Sequence, residues 1–182
     1  MQPSEPSRSL AGLIELPDLI TLAGLFSAFL AVAVAVNGQL ELGAALLLLA
    51  VLGDLFDGKV ARAIGRRNRE FGAALDTVVD AVAFGAAPAL FGLCAGLDTA
   101  FGMLLLATYL ASAVLRLARF QSSPWNPGHY TGMPVPYGNV AVALCYLLLT
   151  ALGASSYVAP TLMLLYPLLA LLMVSTLRWP KF

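Results

Sequence analysis

The sequence predicts an all-α integral membrane protein of six transmembrane helices with both termini cytoplasmic, and three observations carry that prediction. Of 182 residues, 60% are hydrophobic and 11% charged, against about 25% charged in an ordinary soluble domain. The apolar residues gather in six runs, each near the roughly 20 residues that a membrane span requires. Every Lys and Arg falls on the same side of those runs. This composition leaves little room for a separate soluble domain. The formal net charge is zero, so neither nucleic acid nor another polyanionic partner is indicated.

Taken in order, residues 1–18 form an N-terminal cytoplasmic or interfacial segment. It is polar and rich in Pro and Ser at first, then amphipathic around Leu10–Leu16, the pattern of a short surface-lying stretch. Residues 19–177 form one six-helix domain. Its spans are expected at about Leu19–Val36, Leu42–Ile64, Phe71–Ala95, Thr99–Phe120, Val135–Leu152 and Tyr157–Leu177. Ala33-Val34-Ala35 resembles a signal-peptidase site, but the spans that follow favour retention of the first helix. Residues 178–182 form a cytoplasmic tail. Cys94 and Cys145 lie inside apolar runs without the spacing of a zinc site or a disulfide framework, and read as packing residues.

Orientation follows from the basic residues. Arg8 precedes the first span. Lys59, Arg62, Arg66, Arg67 and Arg69 surround the turn between the second and third, Arg116 and Arg119 end the fourth, and Arg178 and Lys181 follow the sixth. The loops Asn37–Glu41, Gly96–Asp98 and Gly153–Ser156 hold no Lys or Arg. The basic side is therefore the cytoplasmic side.

Within this apolar chain, Asp54–Asp80 carries four carboxylates. A charged side chain near the centre of a membrane helix costs about 2.5–3.5 kcal/mol on insertion scales, so acids kept there call for a reason. Asp54 and Asp57 are three apart and Asp76 and Asp80 four apart, so on helices each pair shares a face. Two such helices, packed antiparallel across the turn at Gly65–Arg69, aim all four acids at one point. Four negative charges held together repel unless cations lie between them. Oxygen ligands suit Mg²⁺, Mn²⁺ or Ca²⁺, and two such ions bridged by carboxylates make a site for phosphate chemistry. Simple ion pairing with the nearby arginines explains the acids less well, since it needs no two matched helical pairs. A cation transporter is the distant alternative. It is disfavoured because the acids cluster near one interface and the other half of the chain has no matching interrupted helices.

The stretch reads D-x-x-D-G-x-x-A-R, nine residues, then G-x-x-x-D-x-x-x-D. This resembles the CDP-alcohol phosphotransferase family, with Asp54, Asp57, Gly58, Ala61, Arg62, Gly72, Asp76 and Asp80 at its fixed positions. The resemblance implies transfer of a phosphoalcohol group from a CDP-linked donor to an acceptor hydroxyl, with release of CMP, by a homodimeric membrane enzyme that works on the cytoplasmic side of the cell membrane. It implies that Asp54, Asp57, Asp76 and Asp80 hold Mg²⁺ or Mn²⁺, two ions in all, and that Asp80 is also the general base. Gly58, Ala61, Arg62 and Gly72 are implied as contacts of the CDP-linked lipid. Gly58 lets nucleotide approach the backbone, and Arg62 pairs with phosphate. Pro17-Asp18-Leu19-Ile20-Thr21 resembles the family's opening of span one, which makes Asp18 and Thr21 donor contacts. Asp18 also suits the role of a helix cap after Pro17.

Downstream, R-L-A-R-F-Q at Arg116–Gln121 and G-M-P-V-P at Gly132–Pro136 are similar to segments of the phosphatidylserine synthase branch, as is Thr21–Phe26. The implied acceptor is L-serine and the donor CDP-diacylglycerol or its ether analogue. Arg116 and Arg119 share a helix face and are the candidate acceptor contacts, since serine carries a carboxylate. Snorkelling to lipid headgroups is their structural alternative. Gln121 stands where the branch has Asn, and Tyr137-Gly138-Asn139 replaces its small-residue run. Glycerol 3-phosphate or inositol phosphate is the alternative acceptor for the same chemistry. His129, in the loop Ser122–Tyr130, reads as a surface residue, and Trp125, Tyr130 and Trp179 as interfacial aromatics.

Overall fold

The computed structural model describes residues 10–64, 68–122 and 129–180, most of them helical. The expectations for residues 1–9, Gly65–Arg67, Trp125 and residues 181–182 lie outside the described residues. A single turn, α1 (Leu10–Leu13), precedes α2 (Leu16–Val36). Helix α2 begins ahead of the apolar run because Glu15 and Asp18 cap it reciprocally. The Asp18 carboxylate accepts the Glu15 N–H at 2.8 Å, and the Glu15 side chain accepts the Asp18 N–H. Pro17 sits in the first turn, where its missing N–H costs nothing. Glu15 Oε1 also accepts the N–H of Asn68 at 3.0 Å. That bond ties the start of α2 to the start of α4 (Arg69–Asp80).

Helix α3 (Leu40–Ile64) lies against α2 at close range because small residues line the seam. A Cβ on Gly53 would stand 3.3 Å from the Gly24 Cα, and one on Gly43 would stand 2.9 Å from the Ala31 carbonyl. The Ser27 hydroxyl crosses the same seam to the Leu46 carbonyl at 2.8 Å. Helix α4 runs without a break into a π-helical turn (Ala81–Ala86) and then α5 (Ala87–Cys94). Helix α6 (Ala100–Ser122), α7 (Val135–Ala151) and α8 (Val158–Val174) complete the bundle. Asn139 Nδ2 donates to the Leu47 carbonyl at 2.8 Å and joins α7 to α3.

The faces are arranged for lipid. Thr21, Ser27, Ser112, Arg116 and Asn139 are buried, while Leu164 is 75% exposed and Leu171 68%. Among the described residues, four helical stretches are long and apolar enough to cross a membrane: Leu16–Val36, Glu70–Cys94, Ala100–Ser122 and Ser155–Val174. Val135–Ala151 is apolar but shorter. Helix α3 has the length, 25 residues, but carries Glu41, Asp54, Asp57, Lys59 and Arg62.

The last helix stops at Val174 rather than at Leu177. Ser175 turns extended and its hydroxyl donates to the Leu172 carbonyl at 2.7 Å. Beyond it, β2 (Arg178–Pro180) pairs antiparallel with β1 (His129–Thr131), so the expected tail begins as a strand held against the loop after α6.

Candidate active site

The site is built where the cytoplasm-facing ends assigned from sequence to spans two and three meet. Asp54 lies on α3, and Asp76 and Asp80 lie one turn apart on α4. All three are half-buried. One carboxylate oxygen from each lies within 4.8 Å of the others. Three carboxylates at that separation, half removed from water, repel strongly unless a cation lies among them. The donors are all oxygens, which suits a hard divalent ion. The residues present therefore fit such an ion.

Asp57, Ala61 and Arg62 lie on α3 by their backbone, and their side chains lie outside the described residues. Gly58 is described, and a Cβ there would meet nothing within 4 Å. Among the described residues it packs against no neighbouring helix and leaves open space one turn from Asp54. Gly72 is buried and its N–H closes the first turn of α4 on the Asn68 carbonyl at 3.1 Å.

Helix α2 supplies the wall. Thr21 and Gly24 line a small cavity with Ala50, Asp54, Asp80 and Phe84. The Thr21 hydroxyl donates to the Pro17 carbonyl at 3.1 Å. Asp18, 2% exposed, is the cap of α2 already described. Next to this polar corner, and between the same helix and the π turn, lies an apolar cleft of about 480 Å³ lined by Leu22, Leu25, Phe26, Phe29, Val82 and Leu90.

The two arginines of α6 have separate surroundings. Arg116 is 6% exposed, with its guanidinium carbon 5.3 Å from the Phe120 ring centroid. Arg119 donates from Nη1 to the Val174 carbonyl at 3.1 Å and from Nη2 to the Thr131 and Met173 carbonyls at 3.0 and 2.9 Å. It gathers the end of α8 and the β1 strand, and it satisfies two of the carbonyls left without intrahelical partners where α8 ends. Gly132 has φ +78°, and a Cβ there would collide with Arg119 Nη2 and the Met173 carbonyl. The glycine of G-M-P-V-P is required on both counts.

Sequence reasoning missed three features. Gln121 reaches across to α4, donating to the Thr77 hydroxyl and, at 3.4 Å, to the Ala73 carbonyl. The π turn follows Asp80 directly, and Pro88 was its only signal. The Arg119 clamp joins segments far apart in the chain and leaves no local pattern.

One family model and three relatives bear on this arrangement. The model of the CDP-alcohol phosphatidyltransferase family matches residues 14–176. The chain is 30% identical to the archaetidylserine synthase of Methanothermobacter thermautotrophicus over 176 residues, 96% of this chain and 73% of that protein. It is 32% identical to a CDP-diacylglycerol–serine O-phosphatidyltransferase of Helicobacter pylori over 171 residues, 91% of this chain and 72% of that one. A protein of the same name from Methanocaldococcus jannaschii is 30% identical over 175 residues, 96% and 78% of the two chains.

Proposed function

The chain belongs to the CDP-alcohol phosphatidyltransferase family, and from that premise we propose that it transfers a phosphatidyl-type group from a CDP-linked lipid to the hydroxyl of L-serine, releasing CMP. The observation that carries the reading is the meeting of Asp54, Asp76 and Asp80 within 4.8 Å on the two helices that bear the family's acidic motif. Serine as acceptor is supported by the printed names of the relatives and by the Arg116–Gln121 and Gly132–Pro136 segments.

Asp54, Asp57, Asp76 and Asp80 would hold divalent cations, two Mg²⁺ or Mn²⁺ ions, and these supply neutralisation of the pyrophosphate's charge and of the departing CMP. The chain's own residues do the rest. Asp80 accepts the proton from the serine hydroxyl as its oxygen forms the new bond to the lipid-bearing phosphorus. The bond from that phosphorus to the CMP oxygen breaks, and CMP leaves with the electron pair. Asp18, Thr21, Gly58, Ala61, Arg62 and Gly72 form the donor side, with Gly58 leaving room for the nucleotide. The apolar cleft between α2 and the π turn adjoins the polar cavity on the same two elements, as a donor with a charged head and apolar chains needs. Arg116 and Arg119 form the acceptor side. Arg119, whose guanidinium is held on three carbonyls, acts by fixing the α6–β1 wall as well as by its charge.

In the membrane the chain makes six spans with both ends and the acidic centre on the cytoplasmic side, and it works as a homodimer. The acceptor is tested by offering labelled L-serine, glycerol 3-phosphate, inositol and inositol 1-phosphate, one at a time, to the purified protein with CDP-diacylglycerol and its ether analogue. Label from serine alone should enter the lipid phase. Label from a phosphorylated acceptor alone would keep the acidic centre and overturn serine.

A further inference from the structure

The π turn Ala81–Ala86 begins at the residue after Asp80, and its hydrogen bonding explains why it exists. Ala87 N–H donates to the Val82 carbonyl, five residues back. The Phe84 carbonyl would ordinarily accept from the residue four ahead, but that residue is Pro88, which has no N–H. Its partner is instead the hydroxyl of Tyr109, from α6, at 3.0 Å. Tyr109 is fully buried. One turn on, Tyr166 of α8 donates to the Pro88 carbonyl at 2.5 Å. The two rings meet edge to face with centroids 5.1 Å apart. Glycines make room for both: a Cβ on Gly138 would stand 2.8 Å from the Tyr109 hydroxyl, and one on Gly92 would stand 2.5 Å from that of Tyr166.

Phe84 lines the small cavity together with Asp54, Asp80 and Thr21. The Tyr109 hydroxyl thus holds the backbone that forms the floor of the acidic centre. A wide turn adds a residue to the helical winding and re-aims the side chains before it, and such turns recur at functional sites. We propose that Tyr109 is a positioning residue for Asp80: by taking the Phe84 carbonyl that Pro88 cannot serve, it keeps the π turn wound and Asp80 aimed at Asp54 and Asp76. This rests on the reading of Asp80 as a metal-holding residue. Tyr166 bonds beyond the turn, so it supports the fold without aiming Asp80.

The test is Mn²⁺ binding to the detergent-solubilised full chain, read from loss of the free Mn²⁺ spectroscopic signal. Wild type is compared with Tyr109→Phe, Tyr166→Phe and Asp80→Asn, all below their melting temperatures. Both tyrosine variants lose one buried hydroxyl and should melt earlier. Only Tyr109→Phe should also weaken Mn²⁺ binding, by about tenfold, the size usual when an outer support of a metal ligand is lost. Wild-type Mn²⁺ binding by Tyr109→Phe, with Asp80→Asn weakened, would overturn the proposal and leave the Asp80 reading standing. Equal weakening in Tyr109→Phe and Tyr166→Phe would also overturn it, as a general packing effect. Wild-type binding by Asp80→Asn would instead overturn the Asp80 reading and the proposal with it. Should Tyr109→Phe fail to fold, Gly138→Ala crowds the same hydroxyl, and unchanged Mn²⁺ binding by that variant would count against the proposal equally.

Discussion

Asp80 stands at the end of α4, one turn after Asp76, and shares the small cavity with Asp54 and Thr21. Asp80→Asn keeps the shape of the side chain but removes its negative charge, and with it the base and part of the hold on the metal. Transfer should fall by at least about a hundredfold, the lower range for loss of a general base, while CDP-lipid binding, measured by calorimetry, is largely kept. Loss of donor binding with it would make Asp80 chiefly a metal ligand. The convergence of Asp54 with Asp76 and Asp80 was legible from spacing together with the antiparallel packing expected across the turn, because residues one turn apart on a helix share a face. The capping use of Asp18 was legible as well, since a Pro followed by Asp at a helix start is a local capping pattern, although the cap residue itself is Glu15 and Asp18 closes the box from the first turn. Arg119 was only half legible. Its place on α6 follows from the sequence, but its three carbonyl partners lie on β1 and α8 and depend on the folded bundle.

At the scale of elements, the Arg119 clamp decides how α6, α8 and the two short strands meet. Gly132→Ala puts a Cβ into the clamp at a left-handed backbone position. Such strain costs about 1–3 kcal/mol before the collision is added, so the variant should melt clearly below wild type. Arg119→Ala should do the same through lost charged hydrogen bonds, about 1.5–3 kcal/mol each. If Arg119 also serves the acceptor, its loss raises KM for serine more than for the CDP-lipid, and an equal rise in both would end that role. The early stop of α8 was not legible, since Leu177 continues an apolar run, whereas the extended Ser175, the pairing of β2 with β1 and the Arg119 clamp on the Met173 and Val174 carbonyls all depend on the folded bundle. The π turn was hidden for a related reason. Pro88 signals a missing donor, but whether the chain kinks, breaks or winds wider depends on a distant partner such as Tyr109, which donates its hydroxyl to the freed Phe84 carbonyl.

At the scale of the molecule, many large apolar side chains such as Leu164 and Leu171 face outward, while the α2–α3 seam is lined by small residues and the interior mixes Phe, Tyr and Leu with a few buried polar groups. The class of protein was legible in composition because a bilayer demands long uncharged runs, and α2, α6 and α8 supply them. Helix α3 is the exception that marks function: it has the length of a span but ends in the acids of the site. The proposed topology predicts that single cysteines placed at Gln39 and Gly153, in a chain cleared of Cys94 and Cys145, react with an impermeant thiol reagent from outside intact cells. One placed at Asn68 should react only after lysis; labelling of Asn68 from outside would refute the orientation. The central claim is that the acidic centre runs metal-dependent transfer from a CDP-linked lipid to serine. The measurement that tests it most directly is CMP release by the metal-stripped protein as Mn²⁺ is restored, with CDP-diacylglycerol present and L-serine either added or withheld. Release that requires both the metal and serine, and vanishes in Asp54→Asn and Asp76→Asn, is the predicted result. Release undiminished without metal, or in those variants, would contradict it.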